Sequence, residues 1–134
     1  RSLVIGRPVA AMLTARNSTV TTCHTHTRDL AAECRAADIV VAAVGRARTI
    51  GVDAVREGQT IIDVGINWDC LREGQTVVDV GIHVGDDGKL CGDVRFAEAE
   101  PVVEAITPVP GGVGAVTTAI LANHVIEAAE RASK

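Results

Sequence analysis

The stretch REGQTIIDVGIN, residues 56–67, recurs almost unchanged as REGQTVVDVGIH at residues 72–83. Nine of the twelve positions are identical, and the offset between the two copies is 16 residues. Each copy joins a polar turn to a short apolar run, which is typical of a strand covered on both faces. Two copies are too few for a solenoid, so we interpret the pair as a local tandem duplication of one turn-plus-strand unit.

The duplication leaves open which copy occupies the strand position in the sheet. Both copies suit the same position in a sheet, and we expect only one of them to occupy it. The other copy would then add an edge strand, loop out, or pair with a second chain, and an exposed TVVDVGI strand would be prone to edge-to-edge association. The spacing from the upstream strand favours the first copy and the spacing to the downstream residues favours the second, so both assignments stay open.

The segments around the duplication alternate between helical and strand patterns. This alternation predicts an α/β fold with right-handed crossovers and a parallel, doubly wound sheet. The predicted elements are a helix over 8–16 opened by Pro8, a strand over 19–24, a helix over 27–38 capped by Thr27, a strand over 38–45, one or two helical turns over 52–58, and a strand over 60–65.

A last helix is predicted over residues 113–132. Leu121, Val125, Ala128 and Ala132 follow one another at spacings of 4, 3 and 4 residues, which places them on one face. We expect this stripe to dock the helix on the sheet.

Composition sets limits on the class of protein. The 134 residues suit one domain, or a piece of a larger protein, and 47% of them are hydrophobic with a single Phe and a single Trp. Such an aliphatic core suits a parallel sheet covered by helices. The net charge of −4 argues against a nucleic-acid partner, and no apolar run approaches the roughly 20 residues that span a bilayer. Four scattered cysteines are expected to be reduced thiols, which favours a cytoplasmic location.

The segment ITPVPGGVG, residues 106–114, combines two prolines with three glycines just before the last helix. The prolines fix the path of the chain, and the glycines leave backbone without side chains. Bare backbone at the start of a helix suits a flat or negatively charged ligand.

Three stretches together resemble one family: RSLVIGRP at residues 1–8, the duplicated unit with GKLCGDV at 88–94, and TPVPGGVG at 107–114. The family is the bifunctional methylenetetrahydrofolate dehydrogenase/methenyltetrahydrofolate cyclohydrolase of the FolD type. The resemblance covers nearly the whole chain and implies a Rossmann-like domain that holds NADP beside a folate substrate. It also implies a role in one-carbon metabolism, which serves purine biosynthesis, and a homodimer.

The resemblance assigns candidate binding residues to both ligands. Arg1, Ser2 and Gly6 match the family's motif at the cofactor phosphates, and Thr25 stands where the family has a serine near the adenosine 2′-phosphate. Ile66 matches the isoleucine whose backbone contacts the cofactor, with Ile82 as its rival in the second copy. The folate side is assigned to the glycine-rich segment, namely Pro110, Gly111, Gly112, Val113 and Gly114. The family continues with Pro-Met-Thr, whereas this chain has Ala115, Val116 and Thr117.

The family's catalytic lysine lies in an N-terminal domain that these 134 residues do not contain, and neither Lys89 nor Lys134 matches its motif. We therefore expect no catalytic residue in this chain, weak NADP binding because the first strand and its glycine are absent, and a domain truncated at its first strand. The alternative is a non-catalytic remnant or assembly module that uses the duplicated strand to pair chains.

Two further sets of side chains are assigned structural roles. Cys23, His24 and His26 do not predict a metal site, since adjacent residues on a strand point to opposite faces. Asp63 and Asp79 lie inside apolar strands, where a carboxylate needs a partner. We expect each to cap neighbouring backbone rather than act as a base.

Overall fold

A parallel β-sheet forms the centre of the molecule in a computed structural model, which describes residues 3–44, 50–63, 70–85 and 87–133. Its four strands lie in the order β1-β2-β3-β6, and a short antiparallel hairpin, β4–β5, follows β3 in the chain. The strands are β1 (Ile39–Ala42), β2 (Thr60–Asp63), β3 (Thr76–Asp79), β4 (His83–Val84), β5 (Leu90–Cys91) and β6 (Ala105–Ile106). The helices are α1 (Gly6–Thr14), α2 (Leu30–Ala36), α3 (Phe96–Ala99) and α4 (Val113–Ala132). The predicted α/β fold with a parallel sheet is confirmed.

Both copies of the duplicated unit lie inside the sheet, side by side. β2 pairs with β3 in parallel, and each residue faces its own counterpart, from Thr60 opposite Thr76 to Asp63 opposite Asp79. β2 also pairs with β1, and β3 also pairs with β6. The expectation that only one copy would take a sheet position is therefore wrong. A parallel sheet accepts a second identical unit because the same hydrogen-bonding pattern repeats from strand to strand.

The turn before each strand is held by a buried glutamine. Gln59 Oε1 accepts a hydrogen bond from the Arg56 amide at 2.8 Å, and Gln75 Oε1 accepts one from the Arg72 amide at 2.8 Å. Both glutamines are fully buried, so their amide groups need such partners. The glycine within each turn has a positive φ, +69° at Gly58 and +71° at position 74, a conformation that favours glycine. The turns of the two copies and the strands that follow them thus fold in the same way.

The core lies between the sheet and the segments that lead into it. Its members are aliphatic residues and small thiols, as the composition predicts, and they include Cys34, Val40, Ala42, Ile50, Ala54, Val55, Ile61, Cys70, Leu71, Val77, Val94 and Ala99. Of the helices, α2 contributes the buried Cys34 and α3 the buried Ala99.

Three local predictions before the duplication are wrong. Residues 19–24, all described, form no strand, because a β-rich composition favours a pleated surface but does not supply a ladder partner. α2 is capped by Asp29, whose carboxylate accepts from the Ala32 amide at 2.9 Å, whereas the Thr27 hydroxyl accepts from the His24 amide. Residues 52–58 form turns instead of a helix. α1 is confirmed, although Pro8 is its third residue rather than its first.

The last helix matches its predicted bounds but not its predicted docking. None of the twenty residues of α4, all of them described, is buried. Leu121 and Val125, the large residues of the predicted stripe, are each 63% exposed. The expected docking on the sheet is therefore wrong, because helical periodicity identifies an apolar face without specifying what covers it. Within the described part of the chain, no helix is long and apolar enough to cross a membrane.

Candidate functional site: the carboxyl end of the sheet

The candidate site lies where β3 and β6 end. The strands run parallel, so the segments that follow them emerge at the same edge of the sheet. After β3 the chain continues into the β4–β5 hairpin and residues 92–94, and after β6 it continues into residues 107–114, here named the 107–114 loop. Ligands of open α/β sheets bind at this edge.

The carboxylate of Asp79 connects the segments at this edge. Asp79 is 3% exposed, and its Oδ1 accepts from the Gly81 amide at 2.9 Å and from the Asp93 amide at 3.3 Å. Its Oδ2 accepts from the Val94 amide at 3.0 Å. Three backbone donors satisfy the buried carboxylate, so the expectation that Asp79 caps neighbouring backbone is confirmed. The matching expectation for the Asp63 side chain lies outside the described residues.

Thr107 joins the 107–114 loop to β3. Its hydroxyl oxygen accepts from the Asp79 amide at 2.9 Å, and its own amide donates to the Val77 carbonyl at 3.1 Å. These bonds extend the β3–β6 pairing by one residue beyond the end of β6. The start of the 107–114 loop is therefore held against the second copy of the duplicated unit.

A second carboxylate holds the hairpin in place. Asp93 pairs with the Nε2 atom of His83, the residue that replaces Asn67 of the first copy. Glycines let both carboxylates approach the backbone, because a Cβ at Gly92 would lie 2.0 Å from Asp79 Oδ2 and one at Gly81 would lie 2.4 Å from Asp93 Oδ2. The sequence had marked His83 as a difference between the copies, but no role was predicted for Asp93, His83 or Thr107. The GDV motif and the Asn-to-His difference between the copies were the available signals.

These segments enclose a cavity of about 210 Å³. Its lining combines the two carboxylate residues with apolar side chains, and comprises Asp79, Cys91, Gly92, Asp93, Val94, Arg95, Phe96, Thr107 and Val109. The cavity lies at the carboxyl end of β3, next to the start of the 107–114 loop.

Within the 107–114 loop, the chain itself requires the glycines at 111 and 112. Gly111 has a φ of +103°, and a Cβ at Gly112 would lie 2.4 Å from the Pro108 carbonyl oxygen. Gly114 differs, because a Cβ there would have no atom within 4 Å. The first turn of α4 begins directly after Gly112, and no side chain of the described residues caps it. In this first turn the Ala115 amide donates to the Gly112 carbonyl at 3.2 Å, and no bond within the described residues uses the amides of Val113 and Gly114.

The predicted site residues fall into three groups. Pro110, Gly111, Gly112, Val113 and Gly114 form the entry to α4, and Ile82, which is 64% exposed, follows the end of β3 at the same edge of the sheet. Gly6 begins α1, and Thr25 lies in an exposed turn, both in the chain before β1. Arg1, Ser2 and Ile66 lie outside the described residues.

The histidine and cysteine side chains before β1 form no metal centre in the described part of the chain, where no group of three potential ligands exists. The rings of His24 and His26 meet edge to face, with centroids 6.0 Å apart. Burial raises the pKa of the Cys34 thiol, and the nearby Cys23 and Glu33 raise it further. Cys34 is therefore held as a neutral core thiol.

A family model matches this chain along almost its entire length. It is described as "Tetrahydrofolate dehydrogenase/cyclohydrolase, NAD(P)-binding domain" and matches residues 1–69 and 66–133. The chain belongs to this family. The resemblance inferred from RSLVIGRP, the duplicated unit and TPVPGGVG is thereby confirmed.

Curated relatives have the same assignment. The chain is 50% identical over 130 residues to the bifunctional protein FolD of Carboxydothermus hydrogenoformans, covering 97% of this chain and 40% of the relative. It is 50% identical over 133 residues to the bifunctional protein FolD of Burkholderia lata, covering 99% and 41% respectively. The chain thus spans about two fifths of the length of the curated relatives that it matches.

Solved structures of the family have the same fold. The bifunctional 5,10-methylenetetrahydrofolate dehydrogenase/cyclohydrolase of Thermoplasma acidophilum matches with a TM-score of 0.68 and 41% identity, over 97% of this chain and 41% of that one. The enzyme of Trypanosoma brucei, solved with NADP cofactor and an inhibitor, matches with a TM-score of 0.63 and 36% identity, over 96% and 41%. The Rossmann-like architecture predicted from the resemblance is confirmed.

Proposed function

We propose that this chain is the NADP-holding half of a bifunctional one-carbon folate enzyme, and that residues 1–134 form one NAD(P)-binding domain. The parent enzyme would transfer a hydride from 5,10-methylenetetrahydrofolate to NADP⁺ and then hydrolyse the methenyl product to 10-formyltetrahydrofolate. The observation that carries the proposal is the match of the family's NAD(P)-binding domain to residues 1–69 and 66–133.

The cofactor is assigned to residues at the start of the chain and at the strand ends. Arg1 and Ser2 would bind phosphate, since a guanidinium donates two parallel hydrogen bonds and a hydroxyl adds a third. Gly6, Thr25 and the isoleucine of the duplicated unit would complete the site. NADP supplies the hydride acceptor when bound, and the chain's own task is to fix its position relative to the substrate.

The folate substrate is assigned to the 107–114 loop. Its support is the position of this loop at the carboxyl end of the sheet, beside the 210 Å³ cavity, with an uncapped helix start behind it. Pro110, Gly111, Gly112, Val113 and Gly114 would present backbone to the flat ring, and Gly114 has the open space that such an approach needs. Asp79 is saturated by backbone donors and would not act as a base.

The alternative of an assembly module is not favoured. Its basis was a duplicated strand with a free edge, whereas both copies are paired on each side within the sheet. Two further parts of the proposal are a homodimer, which rests on the resemblance, and a cytoplasmic location, which rests on the scattered cysteines. Light scattering of the purified chain would test the dimer.

Titration calorimetry of the full chain with NADPH, and with NADH for comparison, tests the proposal. We expect binding weaker than micromolar and a preference for NADPH that Thr25→Val reduces, because the hydroxyl would contact the 2′-phosphate. Thr22→Val, which changes an equally exposed threonine three residues earlier, is the matched control. Absence of any NADPH binding would contradict the proposal, and sub-micromolar affinity would contradict the expected weakness.

The same preparation should hydrolyse no 5,10-methenyltetrahydrofolate, because no residue of this chain is assigned a catalytic role. The absorbance of the methenyl substrate follows the reaction, with the uncatalysed rate as the baseline. Turnover above this baseline by the purified chain would show that it carries catalytic groups of its own.

A further inference from the structure

We infer that the first 16-residue repeat, residues 56–71, which comprises the first copy and the four residues after it, contributes a spacer strand, β2, to the middle of the sheet. It moves β1 one strand spacing away from the 107–114 loop, and within the described parts of the two copies the bonds to that loop come from the second. The geometric part of this inference stands alone. Its chemical consequence rests on the proposed function.

The register between the copies is the first support. All four residue pairs from Thr60–Thr76 to Asp63–Asp79 join counterparts of the 16-residue repeat. The second strand is therefore related to the first by a shift of one strand spacing, roughly 4.8 Å, with no slip along the strands. A unit placed in this way widens the sheet without disturbing the pairing on either side.

The buried contacts of the two copies are also interchangeable. Gln59 Nε2 donates to the carbonyls of Cys34 and Ala37, at the end of α2, at 2.8 and 2.7 Å. Gln75 Nε2 donates instead to the carbonyl of Arg56 in the first copy at 2.7 Å. The glutamine of the second copy thus bonds to the first copy in the way that the glutamine of the first copy bonds to the end of α2.

The two residues that precede each copy are buried in both cases. Ala54 and Val55 are buried before the first copy, and Cys70 and Leu71 are buried at the positions 16 residues later. Removal of residues 56–71 would join Val55 directly to Arg72. The one remaining unit would then follow the buried pair Ala54 and Val55, as the first copy does now.

Among the described residues of the two copies, those of the second copy are bonded to the candidate site. Thr107 bonds to Val77 and Asp79, and the Asp79 carboxylate binds the amides of residues 81, 93 and 94. β2 is separated from β6 by β3. Ile82, and not Ile66, therefore follows the strand that holds the 107–114 loop.

The family match divides at the same place. One matched segment, residues 1–69, contains all of the first copy, and the other, residues 66–133, contains all of the second. This division is expected if the family pattern contains one such unit.

The consequence for chemistry follows from distance. With the spacer, the carboxyl ends of β1 and β6 are three strand spacings apart, roughly 14 Å, and without it they would be two apart, roughly 10 Å. Gly6 and Thr25, assigned to the cofactor, precede β1, whereas the folate loop follows β6. Hydride transfer needs reacting atoms at about 3–3.5 Å, so an added separation near 5 Å would remove them from reach.

A deletion of residues 56–71 tests the geometry. Nitroxide labels at Glu33→Cys in α2 and Glu104→Cys beside β6 would report the width of the sheet, with Cys23 and Cys91 replaced by serine. We expect the deletion to shorten the mean label distance by about 5 Å. A control pair, Val84→Cys with Glu98→Cys, lies on one side of the deletion and should keep its distance. An unchanged Glu33–Glu104 distance would overturn the inference.

Chimeras test the chemical consequence. The matching two fifths of the Carboxydothermus hydrogenoformans relative would be replaced by this chain with one or with two copies. We expect both chimeras to bind NADPH, and NADP⁺ reduction by methylenetetrahydrofolate to be at least roughly 100-fold faster with one copy, compared at saturating NADP⁺. Equal rates would refute the functional part of the inference. Loss of NADPH binding in both chimeras would instead contradict the proposed function, and the label distances would still decide whether the first copy is a spacer.

Discussion

The interior of the sheet and the C-terminal helix α4 are both rich in aliphatic residues, yet those of the sheet interior are buried and those of α4 are mostly exposed. Ile61 on β2 is 0% exposed, whereas Leu121 on α4 is 63% exposed. Ile61 belongs to the buried core cluster, which also includes Cys34 of α2 and Val77 of β3. The helix has an apolar face that nothing in the described chain covers. Apolar composition therefore identifies surfaces that can be buried, and the neighbours decide which ones are.

Truncation of Ile61 should give the largest loss in the free energy of unfolding among the changes that test this difference. Ile61→Ala removes a fully buried side chain from an interior strand, and such changes cost about 2–5 kcal/mol because a cavity remains. Urea unfolding followed by circular dichroism would measure the loss. Ile120→Ala, at a half-exposed position of α4, is the control and should change the free energy of unfolding by less than about 0.5 kcal/mol. Equal losses would contradict the difference between the two regions.

Neutralisation of Asp79 should give the next largest effect. Asp79→Asn keeps the shape but replaces one acceptor oxygen with an amide group, which then faces backbone donors. We expect a loss of about 2 kcal/mol, since hydrogen bonds to a charged group contribute about 1.5–3 kcal/mol each and one oxygen remains. Chemical unfolding would measure it, with the exposed Glu130→Gln as the control. Hydrogen exchange should also accelerate at the amides of Gly81 and Val94, and protection equal to the parent chain's would show that the carboxylate is not their anchor.

A methyl group added to the 107–114 loop should have a smaller effect that depends on position. Gly112→Ala would place a Cβ 2.4 Å from the Pro108 carbonyl oxygen, and we expect a loss of about 1–2 kcal/mol from the forced shift. Gly114→Ala meets no atom within 4 Å and should stabilise the start of α4 by up to about 0.5 kcal/mol. Thermal unfolding would compare the two variants. Equal shifts would mean that the loop does not pack as described.

Residue patterns predicted the strand of the first copy, the bounds of α4 and the capping role of Asp79, because each depends on residues close in sequence or on burial alone. They did not predict which strands are neighbours. β4, β5 and β6 have two residues each, too few for a periodicity, and exist through their ladder partners. The partners of the Asp79 carboxylate at residues 93 and 94 lie 14 and 15 positions away, so only the fold brings them together. The choice between Ile66 and Ile82 likewise depends on sheet order, which spacing left open.

The smallest expected effect is also the sharpest test of whether α4 is open in this chain. Leu121→Ala and Leu30→Ala remove the same side chain, from the interior of α4 and from the first residue of α2. Leu30 packs against the core from α2, and its truncation should cost about 2 kcal/mol, whereas Leu121→Ala should cost less than about 0.5 kcal/mol. Urea unfolding of both variants at low protein concentration would compare them. A loss near 2 kcal/mol at Leu121 would mean that α4 docks on the sheet after all, as its periodicity predicts. A small loss that grows with protein concentration would mean that a second copy of the chain covers the helix, because association then contributes to the measured stability.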